Sequence, residues 1–333
     1  MALHALQNVD DALEATRSFL FPPRLGRWLK LALIAFFVGG GSGLPTAQFN
    51  AGSSIPGPSD PPSSAPPGDL PTSIPDDVLP LLVAGAILVV LVWIVLGVIG
   101  ATMEFVLIES LRQRRVALRE YIGDRWRQGL RLFGFRVLIG LPIAALFIGW
   151  VGLFIASLAG VIDPVIAFPT FLVGLAALIL LGILFAIVDT LTTVFVVPIM
   201  IADDGGVLAA WRRLWASIRV AWKQYLAYLL VAGLLGIAAG LLGSIVTGVV
   251  AIGLLLPVAV LAAVVYATVT FASTIGTVIL ALLVVVFLAA VFVVWLLVQA
   301  AVVTYLRYYA LLVLGDVEPS LDLIPDQRAA IRT

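Results

Sequence analysis

The stretch from Trp222 to Gly236, "WKQYLAYLLVAGLLG", opens with an aromatic ring, a cation and an amide, then turns apolar. The same opening is written at Trp126 as "WRQGLRLF", again with Leu four residues after the Trp and a long apolar run beyond. Trp and a cation at the mouth of an apolar run fit a membrane interface. The ring sits at headgroup depth, the charge lies among phosphates, and the run enters hydrocarbon. From Gln224 to Leu306 no residue carries a formal charge. A helix rises 1.5 Å per residue, so about 20 apolar residues cross a hydrocarbon layer of about 30 Å. That segment alone has room for two to four spans.

Composition extends the reading to the whole chain. Hydrophobic residues make up 62% and charged residues 11%, against about 45–50% and about 25% in soluble domains. A transmembrane barrel is excluded, because its strands would alternate apolar and polar residues. The expected fold class is all-α, a polytopic transmembrane helical bundle forming a single integral membrane domain over residues 1–333. Net charge is zero, which gives no reason to expect a nucleic-acid partner. The chain has no Cys and one His, His4, so thiolate chemistry is ruled out and no metal or cofactor set is visible. Asp10, Asp11 and Glu14 stand where a signal peptide would carry cations, so the N-terminal segment reads as mature protein.

Apolar runs cover Leu29 to Leu44, Val78 to Ile108, Phe133 to Leu158 and Phe171 to Ile201, ahead of the uncharged segment. Between the first two lies a Pro- and Ser-rich stretch, residues 45–78, expected to be a disordered extracytoplasmic loop. It carries Asp60, Asp69, Asp76 and Asp77 and no cation. The cations gather elsewhere: Arg17, Arg24, Arg27 and Lys30 near the start, arginines from Leu111 to Arg136, and Arg212, Arg213, Arg219 and Lys223. Cationic loops face the cytoplasm. The N-terminus is therefore expected inside, with the Pro-rich loop and the Asp163 turn outside.

Each cationic segment also has an apolar face at helical spacing. Val207, Trp211, Leu214, Trp215, Ile218 and Trp222 form the clearest one. Leu118, Tyr121, Ile122, Trp126, Leu130 and Phe133 form a second, and Leu6, Val9, Leu13 and Leu20 a weaker third. The chain thus reads as three units of interfacial amphipathic helix plus transmembrane hairpin, about six spans in all. Tyr305, Tyr308 and Tyr309 read as an interfacial belt with Arg307 snorkelling, which puts the C-terminus in the cytoplasm too. Pro257 and "TFASTIG" would then form a bend or re-entrant piece between the last two spans, and residues 318–333 a short flexible tail. GxxxG at Gly236 and Gly240 reads as close helix packing.

Few charges fall inside the runs. Asp189, about 16 Å before the inner end of its span at helical rise, reads as close to mid-membrane, where an ionisable residue is a functional candidate by default. No second deeply placed charge is visible to pair with it. Glu104 is the other intramembrane candidate, with ion pairing to Arg112 or Arg115 as the structural alternative, and Glu109 beside it has the same alternative. Asp203 and Asp204 read as caps of the helix that follows. Arg212, Arg213, Arg219, Trp126 and Trp222 are candidate lipid-headgroup contacts, and anionic headgroups are the partners they suit. No nucleophile–base set is visible, so no catalytic residue is assigned and the chain is not expected to be an enzyme.

"FVVPIMIADDGGVLAAWRRLW", from Phe195 to Trp215, resembles the inner loop of the membrane domain fused to some glycerophosphodiester phosphodiesterases. More closely, three motifs together resemble an uncharacterised family of haloarchaeal multi-pass membrane proteins: "VDDALEATRSFLFPPRLGRWLKLALIAFFVGG" from Val9, "PIMIADDGG" from Pro198 and "YLRYYALLVLGD" from Tyr305. That resemblance spans almost the whole chain and implies a fold and a lineage, not a reaction. The phosphodiesterase catalytic domain is absent, so its activity does not transfer. The expected function is a membrane scaffold or accessory component in the cell membrane. The alternative is a transporter or channel for a small or lipid-like substrate using Asp189. Polar groups converging on Asp189 would favour the alternative.

Overall fold

The structure is a computed structural model that describes residues 4–22, 24–40, 79–268 and 274–332. The Pro-rich loop and part of "TFASTIG" lie outside them. All the described elements are helical: α1 (His4–Leu20), α2 (Leu25–Gly40), α3 (Leu79–Arg112), α4 (Leu118–Leu158) and α5 (Pro164–Leu191). A π-turn (Thr192–Val196) leads into α6 (Val197–Asp203), followed by α7 (Val207–Thr268), α8 (Thr274–Val317), a 3₁₀ turn (Pro319–Leu321) and α9 (Pro325–Ile331). Five helical segments are long and apolar enough to cross a membrane: Pro80–Arg112, Leu118–Leu158, Val165–Asp203, Val207–Ala267 and Ile275–Val317. The described part of the first expected span is α2, with 16 residues.

The uncharged segment resolves into two long helices, α7 and α8, packed along each other. Pro257 lies inside α7 and does not end it. α7 bends at Ala221, whose backbone leaves helical values, one residue before Trp222. The helix that carries the Trp stripe and the helix that follows are thus separate rods joined at the quoted doorway.

The chain has two unlike ends. At the base, every residue from Gly100 to Leu111 is buried, as is every residue from Phe195 to Ile201 and from Arg307 to Gly315. A helix buried all round is enclosed by others, and α3 has α2, α4, α6 and α8 against it. Away from the base, α3, α4, α5, α7 and α8 present exposed Leu, Ile, Val and Phe along most of their length. Apolar surface of that extent suits lipid. On α5 it runs from Val165 to Ile187, about 33 Å at helical rise, which is already a hydrocarbon thickness.

Close approach of α3 and α4 depends on two glycines. A Cβ on Gly129 would meet the backbone of Thr102, and one on Gly97 would meet the Phe133 ring. By contrast, a Cβ on Gly236 or Gly240 would meet nothing within 4 Å, so the expected GxxxG packing is not used among the described residues.

Three expectations about the termini are corrected. α1 buries Asn8, Ala12, Ala15 and Phe19 and leaves Leu13 exposed, because α1 lies flush on α8 and small residues permit that contact. Tyr308 and Tyr309 are fully buried and form no belt. The Tyr308 ring packs edge-on to Phe19 and the Tyr309 ring stacks on Tyr228. The segment after Val317 is packed, not a loose tail: Leu321, Leu323, Ile324 and Gln327 are buried. Gln327 Nε2 donates to the carbonyls of Leu111 at 3.0 Å and Arg112 at 3.1 Å, at the end of α3 where helical donors run out and the Leu111 oxygen also accepts the Arg114 N–H at 3.4 Å.

A buried ionic cluster at the base

Four charged side chains from four helices meet where the exposed apolar belt gives way to the core. Glu104 stands on α3, Arg136 on α4, Asp189 on α5 and Arg307 on α8. Their side chains are 2%, 9%, 13% and 9% exposed respectively, so this is a desolvated site. Side chains on a helix lean toward its N-terminus. α3, α5 and α8 descend toward the base, so Glu104, Asp189 and Arg307 lean away from it. α4 ascends, so Arg136 leans down to meet them.

Arg136 Nε donates to Asp189 Oδ1 at 2.8 Å, and Arg136 Nη2 to Thr193 Oγ1 at 2.5 Å. The same Nη2 stands 3.6 Å from Glu104 Oε1. Arg307 Nη2 pairs with Glu104 Oε2. Arg307 Nη1 donates to the Thr193 carbonyl at 2.7 Å. That carbonyl is available for a reason legible in the backbone. In the π-turn, the Val197 N–H bonds to the Thr192 carbonyl, five residues back. The next residue, Pro198, has no N–H to offer Thr193, and the guanidinium takes the vacant acceptor. Thr192 Oγ1 donates to the Val188 carbonyl at 2.6 Å and accepts from Trp211 Nε1 at 3.1 Å, tying the bulge to the start of α7.

The expected site residues separate. Asp189 and Glu104 come together in one cluster, bridged by Arg136. Two expectations fall here: Asp189 does have a deep partner, and Glu104 pairs with Arg136 and Arg307 and not with Arg112 or Arg115. Asp189 sits just past Ile187, at the lower edge of the exposed apolar belt. Arg307 turns inward and does not snorkel. Glu109 pairs with Arg112 at 3.8 Å and Arg125 at 3.5 Å. Asp203 and Asp204 are held by side chains: Arg213 Nη1 reaches Asp203 Oδ1 at 2.5 Å, and Gln128 Nε2 donates to Asp204 Oδ1 at 2.8 Å. Asp204 takes a left-handed backbone at the end of α6.

Among the candidate headgroup contacts, Arg213 is committed to Asp203 and Glu318. Trp126 and Trp222 are half-exposed, each with a cation beside its ring: Arg127 over Trp126 and Lys223 over Trp222, while Arg219 lies over Trp215. Arg136 is the cluster residue that sequence reasoning missed, and Arg307 was read there as a snorkelling cation and not as a partner of the acids. Both stand in apolar surroundings, "FGFRVLIG" and "VTYLRYYALL", and their number equals that of the two lone acids. That parity was the available signal.

Among the described residues no group of His, Cys, Asp and Glu could hold a metal ion. Chemically, two carboxylates facing two guanidiniums form a neutral set that binds helices to one another. Such a fold and cluster define a multi-helix protein with a membrane-type apolar exterior and an ion-paired core. The family described as "Family of unknown function (DUF7544)" matches residues 3–324, and the chain belongs to that family. No curated protein and no solved structure matches it.

Proposed function

We propose that this chain is a membrane scaffold or accessory component, a multi-pass protein of the cell membrane with a rigid base on the cytoplasmic side. The observation that carries this reading is the pairing within the cluster. Every one of its charges faces an opposite charge, so the set is spent on joining α3, α4, α5 and α8. Two clefts among the described residues, one beside Gln327 and one beside Phe171, touch none of the four.

The reading includes six spans, with α2 as the first, and three units of interfacial helix plus hairpin. It is supported by the way α2 packs on α3, α4 on α5 and α7 on α8, and by the burial of the descending helix of each pair at the base. Both termini are cytoplasmic in this reading. Trp126, Trp222, Arg212 and Arg219 meet anionic headgroups at the rim, and no catalytic step is assigned. The haloarchaeal lineage and the distant kinship with the phosphodiesterase membrane domain belong to the same proposal.

A second reading, transport of a small or lipid-like substrate, is favoured by the convergence of polar groups on Asp189. Reconstituting the full chain in liposomes separates the two. The scaffold reading expects cation, anion and lipid-dye flux equal to that of empty liposomes. Flux that Asp189→Asn abolishes, with helix content unchanged, makes the chain a transporter. Single Cys residues in this Cys-free chain test the topology. A membrane-impermeant maleimide is expected to label positions beside Gly206 and the C-terminus only from the cytoplasmic side, and a position beside Asp163 only from outside.

A further inference from the structure

The base carries a cleft that the ionic cluster does not use. It lies between the last turn of α3 and α9 and has a volume of about 300 Å³. Arg112, Gln113 and Arg114 line one wall, and Ile324, Asp326 and Ala330 the other. Arg114 adopts φ 52°, a left-handed conformation that disfavours a residue bearing a Cβ. Its Nη2 is tied to Ser18 Oγ at 3.0 Å. Among the described residues the Arg112 side chain has a long ion pair, 3.8 Å to Glu109, and it is 45% exposed. It therefore keeps donors to spare.

The end of a helix is electronegative and would repel an anion. Here Gln327 caps the Leu111 and Arg112 carbonyls, which removes much of that objection. In the lining, two guanidiniums outweigh one carboxylate, Asp326. The opposite wall is partly apolar, which suits the carbon skeleton of an ester. Arg112 lies eight residues beyond Glu104 on α3, about 12 Å further toward the base. With Glu104 at the lower edge of the lipid-facing belt, that is past the hydrocarbon, at headgroup or aqueous depth.

We propose that this cleft binds a phosphate group, donated to by Arg112 and Arg114 with the ester portion against Ile324 and Ala330. Guanidinium forks match phosphate oxygens. The phosphate could come from a lipid headgroup or from a free ester, and the two sources are distinguishable. The full chain in uncharged detergent is titrated with inorganic phosphate and with glycerol phosphate at constant ionic strength. The full chain in nanodiscs of phosphatidylcholine, with and without phosphatidylglycerol, is assayed for lipid retained after extraction into detergent.

Saturable binding of either free anion assigns a soluble ester. Selective retention of phosphatidylglycerol alone assigns a headgroup. In either case the Arg112→Gln/Arg114→Gln double variant is expected to weaken binding at least about tenfold, the scale of losing charge-assisted donors. Arg24→Gln, an exposed arginine outside the cleft, leaves binding unchanged. Asp326→Asn tightens it, which a purely structural role for this wall would not do. Should the double variant fail to fold, Ala330→Phe fills the cleft from its exposed rim and is expected to block binding with the two arginines intact. No saturable binding by either probe and no lipid selectivity, or binding that these variants leave unchanged, overturns the proposal.

Discussion

Two sets of arginine–carboxylate pairs join distant parts of this chain, and they differ in how far their outer members reach the surface. In the cluster at the lipid edge, Glu104, Arg136, Asp189 and Arg307 are nearly sealed from water. At the termini a second set clasps α1 to α9. Arg332 Nε reaches Asp11 Oδ2 at 2.8 Å, Arg332 Nη2 reaches Asp316 Oδ2 at 2.9 Å, and Arg328 Nη1 lies between Asp316 at 3.1 Å and Asp322 at 3.3 Å. Asn8 donates to Asp316 at 2.8 Å. Gly315 leaves the room that Arg328 occupies, since a Cβ there would meet its guanidinium. The clasp is wetter at its rim, with Arg332 38% and Asp11 23% exposed, while Asp316, Asp322 and Arg328 are buried as deeply as the cluster. Hydrogen bonds that Arg332 donates to Asp316 and then to Asp11 raise its pKa, so it stays charged at any ordinary pH. The same chemistry should therefore behave in two ways. In the sealed cluster, removing one partner strands a charge in low dielectric; at the exposed Arg332–Asp11 rim of the clasp, water and salt compensate.

The largest effect is expected from Arg307→Ala. It leaves Glu104 with Arg136 alone and the Thr193 carbonyl without a donor. The expected loss is about 3–5 kcal/mol, the range for breaking a buried pair. It would be read as a fall in the thermal midpoint of the purified chain, and salt should scarcely change it. Arg307→Lys should recover little, because one ammonium cannot replace a fork serving Glu104 and Thr193 together. A salt-dependent loss would place the cluster in water and erase the contrast with the clasp.

Next comes the approach of helices that makes the cluster possible. Gly129→Leu puts a side chain into the backbone of Thr102, and the expected cost is about 1–3 kcal/mol from overpacking. Gly236→Leu, on a face that meets nothing, should cost far less. Comparing the two thermal midpoints tests whether the glycine contact between α3 and α4, and not glycine content in general, sets the base. Equal losses would count against that.

The clasp gives a smaller effect. Arg332→Gln should cost no more than about 1 kcal/mol and should shrink further as salt rises. A loss matching that of Arg307→Ala, unchanged by salt, would mean that the termini are as dry as the cluster. The position of the clasp also explains why the tail could not be read ahead. Residues 318–332 are polar and Pro-containing, which suggests a loose end. Their order comes from distant partners: Asp11, the carbonyls at the end of α3, and Arg213 against Glu318.

What was legible follows the same divide. Apolar run length is a local property, and it located three of the long helices and the uncharged segment that holds the other two, while leaving that segment open at two to four spans. Lone acids in apolar flanks pointed to Asp189 and Glu104. The partners of those acids were not legible, because Arg136 adjoins a cationic loop and Arg307 a tyrosine cluster, so each had a surface explanation. Only the opposed lean of α4 against α3, α5 and α8 joins them. The π-turn was hidden as well: "TTVFVVP" shows the Pro, but not which carbonyl it orphans.

The smallest effect is expected at Trp222, and its smallness is informative. Trp211 and Trp222 lie on one sequence stripe, yet Trp211 is bonded to Thr192 while Trp222 is 55% exposed. If Trp222 faces lipid, Trp222→Ala should move stability by no more than about 0.5 kcal/mol, as for surface positions in general. The fluorescence lost in the variant is the emission of that ring. In nanodiscs it should be quenched most by lipids brominated near the headgroup and least by those brominated near the chain ends, because an amphipathic ring settles at the interface. Strong quenching by the deep bromines would sink the Ala221 bend into hydrocarbon, and with it the arginines just before it. The rim that separates the dry cluster from the wet clasp would then lie elsewhere.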